Sequence, residues 1–227
     1  MTRLRTPAAL AVLLLAASPA TAQRARTSPP PAESSRSSTG AEAHRVMNDY
    51  SACIVRGWRR ATEDYLRLVP GTEQSRRATM KLAKDTCLSR GQLKFNSPLF
   101  RGGLFEALYA MDFGRSAPPG VAAAPAIAYP TVADPNPPAA AKVYPVLIAF
   151  ADCVARADPA AARQLILSRV ASASETTAFT SLMPRLRGCL PTGSELKFSR
   201  PMLRGYIAES LYRLSSVVAP DRLAANR

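Results

Sequence analysis

Two glutamates, Glu106 and Glu209, are the residues of this sequence best suited to acid–base chemistry. Each follows a glycine by four residues and precedes a tyrosine by three. The two sets are Gly102, Glu106 and Tyr109, and Gly205, Glu209 and Tyr212. At about 100° per residue of an α-helix, this spacing puts all three side chains on one face. If the two glutamates met in a cleft, they would form the carboxylate pair that glycoside hydrolysis uses.

A structural role explains the same pattern, and it is the interpretation that we favour. A glycine on a helix face lets a neighbouring helix approach closely. A buried glutamate pairs with an arginine, an arrangement that specifies geometry more than it adds stability. The sequence offers Arg56 and Arg156 as partners, since each follows a cysteine by three residues. We therefore assign no catalytic residue and keep Glu106 and Glu209 as the candidates for an enzymatic alternative.

Both glutamates belong to a longer internal duplication, with matching residues about 100 positions apart. The matched pairs include Cys53 with Cys153, Cys87 with Cys189, Leu93-Lys94-Phe95 with Leu196-Lys197-Phe198, Pro98 with Pro201, Arg101 with Arg204, Gly102 with Gly205, and Tyr109 with Tyr212. So many identities in the same order are not explained by chance. Arg101, Gly102, Tyr109 and their equivalents are therefore structural positions of a repeated unit.

Each copy of the unit predicts four helices, and neither has the period-two alternation of a strand. The expected helices cover residues 41–56, 58–69, 72–88 and 98–112 in the first copy, and 142–156, 159–168, 174–189 and 201–217 in the second. Seven prolines between Gly114 and Pro138 exclude a long helix there. The sequence predicts an all-α protein of two homologous four-helix units, residues 41–113 and 142–227, joined by a proline-rich linker over residues 114–141.

Residues 1–22 have the pattern of a secretory signal peptide. Arg3 and Arg5 precede an apolar run that is too short to span a bilayer, and Ala20-Thr21-Ala22 is a small-residue cleavage site. We expect cleavage after Ala22 and a periplasmic or secreted mature protein without a transmembrane helix. Residues 23–40 are rich in Ser, Pro and Arg, which predicts a disordered spacer.

Four cysteines in an oxidising compartment predict two disulfides. Each unit has one cysteine late in its first helix and one late in its third, so pairing within the units gives Cys53–Cys87 and Cys153–Cys189. Free thiols and a metal site are the alternatives. Zinc sites use close pairs such as C-x-x-C, which this sequence lacks. We expect no metal and no cofactor.

The chain is basic, with 30 lysines and arginines against 16 acidic residues and a formal charge of +14. The densest cluster of cations, and our predicted anion-binding surface, contains Arg56, Arg59, Arg60, Arg76, Arg77, Lys81 and Lys84. In an exported protein this surface predicts binding to anionic lipid headgroups or envelope polysaccharide. A merely solubilising surface is the alternative. Nucleic acid is not an expected partner, because no reader motif is present. The single histidine, His44, is expected at the surface.

The patterns C-[IV]-x-R, C-L followed by G, and L-R-G-x-x-A-E-x-L-Y resemble a set of uncharacterised exported proteins of alphaproteobacteria. The resemblance covers residues 45–113 and 145–215 and is better in the second copy, where Leu203-Arg204-Gly205 and Ala208-Glu209 match the pattern. It implies export and a tandem helical repeat, and it implies no activity. We therefore expect a non-enzymatic binding or scaffolding protein of the cell envelope, with hydrolysis of an envelope glycan by Glu106 and Glu209 as the alternative.

Overall fold

A computed structural model describes residues 33–88, 96–190 and 199–225, which form nine α-helices and no strand. The first half contains α1 (Glu33–Gly57), α2 (Arg59–Leu66), α3 (Glu73–Leu82) and α4 (Ser97–Phe113). The second half contains α5 (Ala139–Ala157), α6 (Pro159–Leu167), α7 (Ala173–Cys189) and α8 (Arg200–Val218), and a short α9 (Pro220–Ala225) follows. The predicted all-α fold of two four-helix units is confirmed.

Matching side-chain caps begin the matching helices of the two halves. Thr72 and Ser172 accept hydrogen bonds from backbone N–H groups in the first turns of α3 and α7. Asn96 and Ser199 do the same for α4 and α8, each of which also has a proline in its first turn. Such oxygens satisfy N–H groups that have no partner inside the helix. The duplication has therefore kept the points at which the chain enters its third and fourth helices.

Two helix boundaries differ from the prediction. Helix α1 begins at Glu33, within the range predicted as a spacer, because no proline interrupts the chain between Pro31 and Pro70. Helix α3 ends at Leu82 instead of continuing to residue 88. There the Tyr50 hydroxyl accepts from the backbone N–H of Lys84 at 2.8 Å, so this group is withdrawn from helical hydrogen bonding. A 3₁₀ turn, Asp85–Cys87, carries the chain onward.

Both disulfides form as expected, Cys53–Cys87 and Cys153–Cys189, and no cysteine is free. They close loops of 34 and 36 residues. By the loop-entropy model each contributes about 3–4 kcal/mol to stability. Each bond ties the first helix of a half to the end of its third helical segment. The metal and free-thiol alternatives are therefore excluded.

The proline-rich linker, residues 114–138 in the structure, packs against the helices. Val121 and Ala124 are buried in the main core. Tyr129 donates a hydrogen bond from its hydroxyl to Asp152 of α5, and Arg156 of α5 donates to the carbonyl oxygen of Ala124. The linker is thus fixed to the second half. Among the described helices, none has the length and apolar character needed to cross a membrane.

Helices α4 and α8 cross at the centre of the molecule, with their backbones in contact at Gly102 and Gly205. A Cβ atom added to Gly102 would lie 2.6 Å from the Gly205 Cα, and one added to Gly205 would lie 2.9 Å from the Gly102 Cα. Because these glycines are repeat equivalents, the contact has the self-complementary form of a two-fold interface. The two halves share one hydrophobic core around this crossing.

We expect Gly102→Ala to destabilise the protein by about 1–3 kcal/mol, because its methyl group would meet a backbone that cannot move aside without separating α4 and α8. The matched control is Gly188→Ala in α7, where an added Cβ has nothing within 4 Å. The control should be neutral or slightly stabilising. Urea unfolding of both variants measures the difference. Equal effects at the two positions would contradict the close contact.

Candidate functional site

Two buried ion pairs connect the halves at the α4–α8 crossing. Arg101 of α4 donates to Glu209 of α8, from Nε at 3.0 Å and from Nη2 at 2.8 Å. In the reciprocal pair, Arg204 of α8 donates from Nη2 to Glu106 of α4 at 2.9 Å. All four residues are at most 5% exposed. Since the arginines are repeat equivalents, and so are the glutamates, each half gives the same charged groups to the other.

The expected partners of the glutamates, Arg56 and Arg156, were wrong. Arg56 is exposed, and Arg156 binds Asp152 and the linker carbonyls. The close approach at the glycines instead brings Arg101 and Arg204 to the glutamate of the opposite unit. The available signal was that Arg101 and Arg204 directly precede the repeated glycines.

Each arginine also holds the end of the second helix in its own half. Arg101 donates to the carbonyl oxygens of Leu66 and Leu68, and Arg204 donates to those of Ile166 and Ser168. Carbonyls at a helix C-terminus have no partner within the helix, so a cation satisfies both their hydrogen bonding and the helix dipole. The ion pairs therefore join three helices at each of the two sites.

The two glutamates have unequal surroundings. Glu209 accepts five hydrogen bonds, two each from Arg101 and Arg213 and one from the Tyr144 hydroxyl. Glu106 accepts two from the described residues, one from Arg204 and one from the Asn48 side-chain amide at 2.8 Å. The Glu106 carboxylate thus has fewer hydrogen-bond donors around it than the Glu209 carboxylate.

The charges around the two glutamates also favour the ionised form of Glu209 more than that of Glu106. Burial opposes ionisation of Glu209, but attraction by Arg101 and Arg213 outweighs it and lowers the pKa below its ordinary value. Burial raises the pKa of Glu106, and the nearby Glu175 adds to this effect. Among the described residues, Arg204 is the arginine that donates to Glu106, and its Nη1 also donates to Glu175 Oε1 at 3.0 Å. Glu106 therefore shares one arginine with a second carboxylate, whereas Glu209 is paired with two arginines.

A cavity of about 290 Å³ opens beside Glu106, between α1, α4 and the α6–α7 connection. Its lining includes Arg45, Asn48, Asp49, Glu106, Ala110, Ile166, Arg169 and Arg204. Both halves contribute to it, and the buried Glu106–Arg204 pair forms part of its wall. This cavity is the best candidate for a ligand site. Sequence reasoning missed it, because it exists only where the halves meet.

His44 was expected at the surface, and this was wrong, since it is only 7% exposed. Burial lowers its pKa, so the ring is neutral at pH 7. His44 is the repeat equivalent of Tyr144, the buried residue whose hydroxyl donates to Glu209. Position 44 of α1 therefore faces inward, as position 144 of α5 does.

The predicted anion-binding cluster is divided by the fold. Arg59 donates to both oxygens of Asp112, at 2.9 and 2.7 Å, and also to Glu63. It does not belong to an accessible cationic surface. The Lys84 ammonium lies 5.8 Å from the centre of the Trp58 ring. The other predicted cations are exposed, namely Arg56, Arg60, Arg76, Arg77 and Lys81.

The repeated tyrosines are core residues. Tyr109 is 1% exposed and packs with Phe113, their ring centres 5.6 Å apart. Tyr212 is 9% exposed and donates from its hydroxyl to Asp112 at 3.2 Å. Each tyrosine lies on the same helix face as the repeated glycine and glutamate of its half. Both side chains pack in the core where α4 and α8 meet.

Comparison with known proteins gave no match to a protein family, to a curated protein or to a solved structure. The function is therefore inferred from the ion pairs, the cavity and the exposed cations. No group of three or more His, Cys, Asp or Glu residues in the described ranges is arranged to hold a metal ion. The predicted signal peptide, residues 1–22, and the repeated Leu93-Lys94-Phe95 and Leu196-Lys197-Phe198 segments lie outside the described residues.

Replacing the two glutamates should change stability with opposite pH dependence. The pKa of Glu209 is lowered from 4.5, so its ionised form adds stability that is present above pH 4.5 and is lost as the pH falls through the folded-state value. Glu209→Gln should therefore cost about 3–5 kcal/mol at pH 7, by leaving Arg101 unpaired in the core, and less at pH 4.

For Glu106 the pKa is raised from 4.5, so the wild-type protein loses stability as the pH rises through the folded-state value. Glu106→Gln should accordingly cost less at pH 7 than at pH 4, and less than Glu209→Gln at pH 7, because Arg204 keeps Glu175. Urea unfolding at both pH values measures these costs. Parallel pH profiles for the two variants would contradict the assigned environments.

Proposed function

We propose that this chain is an exported, non-enzymatic binding or scaffolding protein of the cell envelope, whose basic surface contacts anionic envelope components. The observation that carries the proposal is the state of Glu106 and Glu209. Both candidate acid–base groups are buried and bound to arginines of the opposite half, which is a structural role. What the described chain offers to a partner is its exposed cations and a cavity.

Hydrolysis of an envelope glycan receives less support. The reaction needs two carboxyl groups that flank the scissile bond, one to donate a proton and one to act as nucleophile or base. Glu209 already accepts five hydrogen bonds. A carboxylate with its lone pairs so occupied has no capacity left for a substrate or a water molecule.

Export is supported by several independent features. Both pairs of cysteines are joined, and disulfides persist in oxidising compartments. The N-terminal sequence has the charge, apolar run and cleavage pattern of a signal peptide. The resemblance to exported alphaproteobacterial proteins points the same way and forms part of this proposal.

The proposed contact surface lies on α1, α2 and α3 and consists of Arg56, Arg60, Arg76, Arg77 and Lys81. Arg56, Arg60 and Lys81 form no ion pair with any described residue, while Arg76 and Arg77 share one carboxylate, that of Glu73. Exposed cations on a basic protein attract anionic surfaces, with a strength that falls as salt rises.

The test uses protein recovered from the periplasm of a bacterial host, where we expect an N-terminus at Gln23. Binding to phosphatidylglycerol vesicles and to a soluble polyuronate distinguishes a lipid partner from a polysaccharide partner. Binding to at least one should weaken by about tenfold or more between about 0.05 and 0.3 M salt, because the Debye length shortens. Neutral phosphatidylcholine vesicles should not bind.

A matched pair of variants locates the surface. Arg56→Gln/Arg60→Gln removes two exposed charges from the proposed surface, and Lys142→Gln/Arg187→Gln removes two exposed charges from the second half. The first variant should weaken binding clearly more than the second. Equal weakening would exclude this surface. Salt-insensitive binding, no binding to either anionic material, or an uncleaved chain would overturn the proposal.

A further inference from the structure

The two halves differ at one position beside the repeated glutamates. On α8, Arg213 follows Glu209 by four residues. On α4, the repeat-equivalent position is Ala110, four residues after Glu106. One half therefore has a guanidinium group where the other has only a methyl group.

In the second half, the guanidinium of Arg213 is bound by a carboxylate and a carbonyl oxygen and lies near two aromatic rings. It donates to Glu209 Oε1 from Nε at 3.1 Å and from Nη2 at 2.9 Å, and Nη2 also donates to the Leu66 carbonyl oxygen at 2.8 Å. Its centre lies 5.3 Å from that of the Phe105 ring and 5.8 Å from that of Tyr129. This arrangement is a guanidinium site that the protein fills with its own side chain.

In the first half, the equivalent acceptors border the cavity. Glu106 corresponds to Glu209, and Ile166 corresponds to Leu66, since their carbonyl oxygens accept from the repeat-equivalent arginines Arg204 and Arg101. Glu106, Ile166 and Ala110 all line the space of about 290 Å³. The position that the Arg213 side chain fills in one half is thus open in the other.

The charges at the open position favour a cation. Glu106 and Glu175 share Arg204, whereas Glu209 has Arg101 and Arg213 to itself. Glu106 accepts two hydrogen bonds from described residues, and a carboxylate has about four acceptor positions. A planar guanidinium supplies both the missing charge and paired N–H donors.

The rim of the cavity restricts the rest of the ligand. Arg45 and Arg169 line it and offer cations to a carboxylate, and the exposed Asp49 offers an acceptor to an ammonium group. The volume is near the lower limit for ligand pockets, roughly 300 Å³, which fits an amino acid better than a larger molecule.

We infer that the cavity beside Glu106 binds a small zwitterion that carries a guanidinium group, with the chemistry of free arginine. The guanidinium binds Glu106 and the Ile166 carbonyl oxygen, and the carboxylate binds Arg45 and Arg169. This site is separate from the anionic-surface contact proposed above, whose cations do not line the cavity. Failure of one proposal therefore leaves the other standing.

The first test titrates the full mature chain with L-arginine and with L-citrulline by isothermal titration calorimetry. Citrulline has nearly the same shape but an uncharged urea group in place of the guanidinium. We expect one molecule of arginine per chain and binding of citrulline that is weaker by about tenfold or more, which corresponds to about 1.4 kcal/mol. No binding of arginine up to about 10 mM, or equal binding of the two compounds, would overturn the inference.

The second test places a guanidinium in the cavity covalently. Ala110→Arg should reproduce the Arg213–Glu209 pair at Glu106, raise the melting temperature without ligand and weaken arginine binding by about tenfold or more. The matched control is Met111→Arg, which adds the same charge at an exposed neighbour that does not line the cavity. It should bind arginine as the wild type does.

Wild-type affinity in Ala110→Arg, or equal loss of affinity in Met111→Arg, would overturn the assignment of the site. The comparison of arginine with citrulline on the unaltered chain decides the question even if the Ala110→Arg protein does not fold.

Discussion

The exchange of arginine and glutamate between α4 and α8 is the constraint on which the arrangement of the two halves depends. A buried charge without a partner costs several kcal/mol, so the four charged groups at the crossing are tolerated only in register. That register requires backbone contact at Gly102 and Gly205, because any side chain there would move each arginine away from its glutamate. The apolar core supplies most of the stability, and the ion pairs specify which faces of the halves meet.

The proposed ligand site lies where the duplicated halves differ. Position 110 is alanine where position 213 is arginine, and Glu175 has Ser75 as its counterpart in the first half. These two differences remove a cation from the Glu106 site and add an acid near it. The repeated framework is the same in both halves, yet Glu209 accepts five hydrogen bonds, whereas Glu106 accepts two from the described residues. A duplicated unit can diverge in this way because the shared core already fixes the fold.

Local signals were sufficient to predict much of the fold. Helix starts are marked in the sequence by capping residues such as Thr72 and Asn96 and by first-turn prolines such as Pro201. The two disulfides were predictable because each repeated unit has one cysteine late in its first helix and one late in its third. The end of α3 was not predictable, because it depends on the Tyr50 hydroxyl binding the backbone of Lys84, a contact between residues 34 positions apart.

The candidate site was less accessible to sequence reasoning. The repeated face of Glu106 and Glu209 was recognisable, but their partners come from the opposite half, and the position of that half depends on the glycine contact. His44 was misplaced for a related reason, since a polar residue at a helix start is usually exposed. Only its equivalence to the buried Tyr144 shows that it faces inward.

A double-mutant cycle between Arg101 and Glu209 tests the central claim most directly. Arg101→Met and Glu209→Met should each cost about 3–5 kcal/mol in the free energy of unfolding. Arg101→Met removes one of the two arginines bound to Glu209, and Glu209→Met leaves Arg101 without a carboxylate in the core. The double variant should cost less than the sum by at least about 1.5 kcal/mol, whereas the exposed Arg67–Asp64 pair should show coupling close to zero. Additive costs at Arg101 and Glu209 would contradict the claim that this exchange holds the two halves in register.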